Sequence, residues 1–393
     1  MSDGLHIAID GNEANVTNRV GSNVYAFELL AALERLLQTR KHTVTVLLSS
    51  SPVDDLPKPR KGWEYQVFGP RKFWTQWALP LHLLHNRDTY DVLLTPGHYA
   101  PRFSAIPYIS AVMDAAYLEH PEQFTTQDRA QLEHWTSYSV KRAQKVIAIS
   151  EFTKKSIIKN YHLHSDKISV VYPAVQTVEN DLTSQELDTF FSTYHITKPY
   201  ILFVGTLQPR KNVETIVEAF EQFSRKIAST NLKTKQRNGT STAKELPKLV
   251  LAGKIGWLSE KIMQRIEGSP FKSRIILPGF VSDIEKKALY EHSMCTVLMG
   301  IHEGFGIPPL EAMKYGSIPV VANATSLPEV VGEAGYIVKP FDVIQLSNTF
   351  MDINDLSRKE IAMQRKLGRE QAQKFSWERS AEKTLKLLKE VGV

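Results

Sequence analysis

Cysteine is nearly absent from this chain. Its single thiol, Cys295, sits in the apolar run Cys295-Thr-Val-Leu-Met-Gly300. One cysteine excludes an internal disulfide framework and a thiolate metal cluster, and fits a reducing compartment. Packing inside a strand is the expected role of such a residue. Long apolar runs are missing too: no stretch of about 18 such residues occurs, so no membrane-spanning helix is expected. The opening MSDGLHIAID has acids and no basic region ahead of an apolar stretch, so no signal peptide is expected. Charge of one sign is scarce. The balance is 48 − 42 = +6, and acids and bases cancel over the first hundred residues. That is too mild to argue for a nucleic-acid partner. Several catalytic signatures are missing as well: there is no HExxH, CxxC, G-x-S-x-G, GxGxxG or P-loop. No Asp-x-Asp ends a strand in the way that holds a divalent metal against a diphosphate. No metal site and no resident cofactor is expected.

What is present reads as α/β. A chain of 393 residues, 42% apolar and 23% charged, has room for two or three domains with sizeable cores. Short apolar runs recur at 5–10, 43–48, 91–95, 106–114, 145–150 and 168–172, with helix-like stretches such as 24–37 and 127–143 between them. The second half repeats the pattern at 200–205, 249–253, 274–279, 295–300, 318–322 and 335–338. Strands alternating with helices predict parallel sheets. The polar stretch 176–199 divides the halves. The expected domains are 1–190 and 191–374, followed by a charged helical tail, 375–393. Residues 231–244 are polar and read as a mobile surface insertion.

The most specific segment is Glu303-Gly-Phe-Gly-Ile-Pro-Pro-Leu-Glu311. It follows an apolar strand, and Pro308 and Pro309 suit the first turn of a helix, where a missing N–H is harmless. Glu303 then lies on the loop and Glu311 on the helix, at the strand ends where open α/β sheets bind ligands. Gly304 and Gly306 let backbone approach a ligand, and a helix N-terminus favours an anion. Carboxylates for hydroxyls beside an anion site suit a nucleotide or a phosphorylated sugar. On spacing alone, a tight turn with two solvated glutamates fits equally well. Arg210 and Lys211 follow the strand Tyr200–Gly205 and could neutralise a diphosphate, Arg as a fork and Lys as a point charge; a solvated surface pair is the alternative. Asp114 ends another apolar run, and a loop with Gly21 and Ser22 follows the first one.

Together these features resemble the retaining glycosyltransferases of the GT-B fold, in the family numbered four. The resemblance spans nearly the whole chain. It rests on the E-x7-E element Glu303–Glu311, on Gly-Thr-Leu-Gln-Pro-Arg210-Lys211-Asn212, on Ala-Gly253-Lys254-Ile-Gly-Trp257, on Pro-Gly-Phe280-Val281 and on Ser326-Leu-Pro-Glu-Val-Val-Gly332. The stretches AGKIGW and SLPEVVGEAG resemble the bacterial O-antigen mannosyltransferase branch. The resemblance implies two Rossmann-like domains facing a cleft, with the C-terminal helix crossing back to the first. It implies transfer of a hexose, mannose from GDP-mannose, to a glycan or lipid-linked acceptor. Glu311 would bind the ribose diol, and Glu303 the transferred sugar. Arg210 and Lys211 would hold the diphosphate. Gly21 and Ser22 would approach it from the first domain, and Gly304, Phe305 and Gly306 would support the sugar. Gly253, Lys254, Phe280 and Val281 would line the base pocket. Many relatives have His-Asp where this chain has Met113-Asp114; Asp114 matches and Met113 does not. A UDP-sugar donor, or a nucleotide-sugar-binding protein without transferase activity, are the alternatives. The implied setting is the cytoplasm. The run Arg71-Lys-Phe-Trp-Thr-Gln-Trp77 mixes cations with aromatics. It suits a peripheral contact at the inner face of the membrane, or a buried aromatic helix.

Overall fold

The structure is a computed structural model that describes residues 4–97, 99–119, 121, 124–238 and 245–392, without the side chains of 232–238. The chain forms two compact units, Met1–Ala174 with Phe375–Val393, and Val175–Lys374.

The first unit holds a seven-stranded sheet: β1 His6–Asp10, β2 Thr43–Leu48, β3 Trp63–Val67, β4 Val92–Thr95, β5 Tyr108–Val112, β6 Lys145–Ala148 and β7 Ile168–Val170. The strand order is β3-β2-β1-β4-β5-β6-β7, and every pairing is parallel. Helices cover both faces of such a sheet, which is why the central strands are continuous apolar runs. β4 and β5 are buried at every position. β3 is not among the strands expected from the sequence. It lies at the edge, and only Trp63 of its five residues is buried, so its apolar signal is weak.

The second unit has six strands: β8 Tyr200–Val204, β9 Lys248–Ala252, β10 Ile275–Gly279, β11 Cys295–Leu298, β12 Pro319–Ala322 and β13 Tyr336–Val338. Their order is β10-β9-β8-β11-β12-β13, again all parallel. Cys295 is fully buried in β11. In both sheets the strand order reverses beside the first strand, between β1 and β4 and between β8 and β11. The carboxyl ends at such a reversal form a natural crevice for ligands. Side-chain caps start several helices: Ser282 and Glu285 form a reciprocal capping box, as do Thr183 with Glu186 and Ser357 with Glu360.

Two expectations are adjusted. The units divide at Ala174/Val175, ahead of the 190/191 division read from the sequence. The intervening segment packs into the second unit: the Tyr315 hydroxyl donates to the Gln176 carbonyl, and Lys314 to that of Val175. Residues 231–244 are not all insertion either. The helix Val213–Asn238 runs through the first part, since Lys, Gln and Arg are good helix formers despite their polarity. Residues 239–244 lie outside the described residues.

The helix Trp377–Val391 belongs to the first unit, packing on Ser22–Leu37, β4 and β5. Trp377, Ala381, Thr384, Leu385 and Leu388 are buried at helical spacing. The Trp377 ring meets Tyr25 edge-on at 5.6 Å, and the Ser380 hydroxyl donates to the Tyr172 carbonyl. Leu388→Ala, at a fully buried site, should destabilise the first unit by about 2–5 kcal/mol. Denaturant unfolding with a probe in that unit reads it; an unmoved midpoint would mean this helix is not part of the unit's core.

Candidate active site

Strand–loop–helix junctions at the reversal of the second sheet bring the sequence's candidates together. β8 leads into a loop and the single helical turn Pro209–Lys211, so Arg210 and Lys211 sit just past its carboxyl end. The neighbouring β11 leads into the loop carrying Glu303, and then into the helix Ile307–Lys314, which has Pro at its start. The two loops are tied by the Ile301 N–H, which donates to the Arg210 carbonyl at 2.9 Å. Across that tie, Lys211 Nζ donates to Glu303 Oε1 at 2.5 Å. The Arg210 guanidinium lies 3.6 Å from Glu303 Oε2 and donates to the His302 carbonyl at 3.2 Å. Lys211 and Glu303 are both buried; Arg210 is half-exposed.

The loop is held in shape partly by Gly300, Thr325 and Ser326, to which the sequence reading gave no role. A Cβ at Gly300 would sit 2.5 Å from Glu303 Oε1, so glycine there leaves room for the carboxylate. Ser326 Oγ donates to the carbonyls of Glu303 and Phe305 at 2.8 and 2.5 Å. The Glu303 N–H donates to Thr325 Oγ1 at 3.2 Å. Phe305 is buried, and Gly306 precedes the helix at φ 121°, a conformation that favours glycine. Ser326 belongs to a stretch already notable in the sequence. Gly300 has no local signal, since the clash depends on how the loop folds back.

Glu311 lies on the same helix but has partners of its own. Lys286 Nζ is 2.8 Å from its Oε1, and the Tyr290 hydroxyl donates to Oε2 at 2.8 Å. Both partners come from the helix Asp283–His292, which follows β10. Nothing in the sequence pairs them with Glu311, because a cross-element contact leaves no periodic trace. Burial lowers the proton affinity of Lys211; Glu303 opposes that shift and Arg210 adds to it. Burial also works against a charge on Lys286, but the Glu311 and Asp283 carboxylates outweigh it and raise its pKa.

The ends of β9 and β10 hold the remaining candidates of this unit. Gly253 has φ 143°, and a Cβ there would lie 2.0 Å from the Gly205 carbonyl oxygen, so no other residue fits. The Lys254 ammonium sits 5.1 Å over the exposed Phe280 ring. Val281 is different: its side chain is buried in the core cluster with Leu289, Tyr290 and Ala312. Only its backbone is left for the ligand-lining role expected of it.

In the first unit, the loop after β1 ends at Gly21, φ 53°, before the helix Ser22–Leu37. Ser22 Oγ donates to Glu13 Oε2 at 3.2 Å, and Asn23 Nδ2 donates to the same oxygen at 2.7 Å. Glu13, unnoticed in the sequence, therefore organises this loop. Asp114 follows β5, and its Oδ1 accepts the Ala116 N–H at 3.1 Å, a turn-capping bond. Met113 is buried. Among the described residues, no group of three or more His, Cys, Asp or Glu is placed to hold a metal ion.

Two family models match the chain: Glycosyltransferase Family 4 over residues 20–179, and Glycosyl transferases group 1 over residues 186–374. The O-antigen chain mannosyltransferase B of Escherichia coli is 29% identical over 329 residues, 83% of this chain and 79% of the relative. A glycosyltransferase structure from Rickettsia africae superposes with a TM-score of 0.68 at 16% identity, covering 99% of each chain. Anabaena HepE, solved in complex with UDP and glucose, gives 0.66 at 15% identity, covering 98% of this chain and 99% of that one. At such identities the two structures speak for the fold, which is GT-B: two Rossmann-like domains built on parallel sheets.

Asp10, at the end of β1, is buried, and burial raises its pKa from 3.8 to about 6; hydrogen bonds from Asn12 oppose the shift and Glu13 adds to it. Between those pH values the folded chain holds a proton that the unfolded chain has released. Stability should therefore fall as pH rises from about 4 to about 6, by at most about 3 kcal/mol from this group at 1.36 kcal/mol per pKa unit. Asp10→Asn should lack that fall. Unfolding midpoints of both proteins across the window read the difference; parallel profiles would rule out a raised Asp10.

Proposed function

We propose that this chain, which belongs to the glycosyltransferases of family 4 and group 1, transfers mannose from GDP-mannose with retention of configuration. The acceptor is a glycan or a lipid-linked saccharide in cell-surface polysaccharide synthesis, met on the cytoplasmic side of a membrane. The observation that carries this reading is the buried Lys211–Glu303 pair with Arg210 beside it at the sheet reversal. The mannosyl donor is supported by the 29% identity to an O-antigen mannosyltransferase over most of both chains.

In this reading Arg210 and Lys211 bind the diphosphate and stabilise it as it leaves. Preorganised charge of that kind acts on the group that gains charge in the transition state. An ammonium has three donors, so Lys211 keeps two beyond the one given to Glu303. Glu303 accepts hydrogen bonds from the sugar's hydroxyls, and Glu311 from the ribose diol. Lys286 and Tyr290 fix the Glu311 carboxylate for that task. Gly304, Phe305 and Gly306 support the sugar, and Lys254 and Phe280 face the base. Gly21, Ser22 and Asp114 serve from the first unit. No protein nucleophile is assigned: the acceptor attacks the face the phosphate leaves, and the departing phosphate takes the acceptor's proton.

A thermal-shift panel of GDP, UDP, ADP and dTDP, with and without magnesium, tests the donor. GDP alone should stabilise the chain, equally without metal, by about 2.7 kcal/mol at a hundredfold excess over Kd. A UDP-selective shift would keep the transferase and replace the donor; no shift with any of the four would leave a fold without nucleotide-sugar binding. Arg210→Ala, which removes a half-exposed side chain, should lower kcat by about 10²–10³ at little cost in stability. Turnover like that of the unaltered chain would remove Arg210 from the chemistry.

A further inference from the structure

The Arg210 side chain is half-exposed, and a long side chain of that kind samples many rotamers unless something holds it. A holder stands two positions earlier. Gln208 is 2% exposed, so water does not compete for its amide. In the amide orientation that satisfies both side chains, Gln208 Oε1 accepts from Arg210 Nε at 2.6 Å and from Nη2 at 3.1 Å. On the other side Nη1 donates to the His302 carbonyl at 3.2 Å. A guanidinium has five N–H groups. These three bonds leave one on Nη1 and one on Nη2, the two nitrogens that can grip a phosphate as a fork.

Gln208 is itself fixed by the backbone around it. Just before it, the Leu207 N–H donates to the Lys254 carbonyl and the Gly256 N–H to the Leu207 carbonyl, both at 2.9 Å, which extends the pairing of β8 with β9 into their loops. Gly256 leaves the space this needs: a Cβ there would lie 2.9 Å from the Leu207 carbonyl oxygen and 3.3 Å from Gln208 Cβ. Just after it, the Lys211 N–H donates to the Gln208 carbonyl at 3.0 Å, closing the turn that carries both cations. The choice of an amide also matters. A carboxylate at 208 would bind the guanidinium more strongly. It would also take the balance of Arg210 and Lys211 against Glu303 from +2 − 1 = +1 to +2 − 2 = 0. An amide oxygen orients the cation and leaves its field available to an anion. We propose that Gln208 is a positioning residue, which holds the Arg210 guanidinium in place before the donor arrives and turns its free N–H pair to the diphosphate. The proposal rests on the reading of Arg210 as a diphosphate ligand and adds the group that orients it. Holding it beforehand spares binding the cost of freezing the side chain, and fixed donors need no reorganisation as charge develops.

The test is a mutant cycle on the full chain, read as steady-state transfer from GDP-mannose with thermal midpoints measured alongside. Gln208→Met keeps the length of the side chain and removes the acceptor. It should lower kcat by about tenfold to a hundredfold and leave the midpoint without nucleotide in place. Gln208→Glu restores the acceptor and subtracts a charge. It should recover most of that kcat and instead raise the donor KM, by about tenfold. A residue that only braced the loop would lower the midpoint and would not split kcat from KM in this way. In an Arg210→Ala background, Gln208→Met should cost less than about a further twofold, because its effect runs through the missing guanidinium. The same cost in both backgrounds, or normal kcat in Gln208→Met beside a costly Arg210→Ala, would overturn this proposal alone. Normal turnover by Arg210→Ala would instead take down the reading of Arg210, and the role of Gln208 with it.

Discussion

A carboxylate and an ammonium buried against each other, Glu303 and Lys211 at 2.5 Å, set the terms for the second unit. Burying either charge alone costs several kcal/mol, and even the pair gives little net stability. What the pair dictates is geometry. Each partner sits on a loop after a different strand, β8 or β11, so those strands must be neighbours for the charges to meet. The backbone bond from Ile301 to Arg210 closes the gap. Gly300 then has to lack a side chain, and Ser326 has to reach two loop carbonyls. The loop has one shape because few others would keep both charges satisfied.

The second carboxylate follows the same rule by a different route. Eight positions after Glu303, Glu311 is already on a helix whose start is fixed by Gly306 and two prolines. Its lysine, Lys286, arrives from the helix after β10. The two acids of one short motif thus take their counter-charges from the same side of the sheet reversal, one from the loop after β8 and the other from the helix after β10, two strands further out. The first unit repeats the topology with the opposite charge. Its loop after β1 is organised by acids, Asp10 and Glu13, with Glu13 holding Ser22 and Asn23. The same parallel-sheet plan therefore supports unlike sites, since the plan fixes where loops emerge and not what they carry.

How much of this could be read from the chain alone depends on the signal each residue leaves. Twelve of the thirteen strands begin within two residues of the start of an expected apolar run, because strands covered on both faces must be apolar throughout. β3, covered on one side, left too little contrast. Glu303, Glu311, Arg210 and Lys211 stood out because prolines, glycines and paired charges at a strand-to-helix turn are locally unusual. Lys286, Tyr290 and Glu13 did not, since their importance lies in partners far along the chain. Val281 shows a related limit: a motif marks the position, but only packing decides whether the side chain turns to the ligand or the core.

The charge balance bears on why a site proposed to bind a diphosphate contains a buried glutamate. Arg210 and Lys211 against Glu303 give +2 − 1 = +1 where β8 and β11 end. A helix N-terminus beside them adds roughly half a charge. That is short of full compensation for a doubly charged diphosphate ester, so the ester would be held without being saturated. Glu303 also opposes the loss of the Lys211 proton that burial and Arg210 promote. An arriving diphosphate acts in the same direction, so binding and protonation of Lys211 reinforce each other. In the proposed transfer, as the sugar departs and negative charge grows on the phosphate, the ammonium would already be in place and need no reorganisation. A lysine without its glutamate would sit in the same buried position more readily neutral, and would then have little to offer that charge.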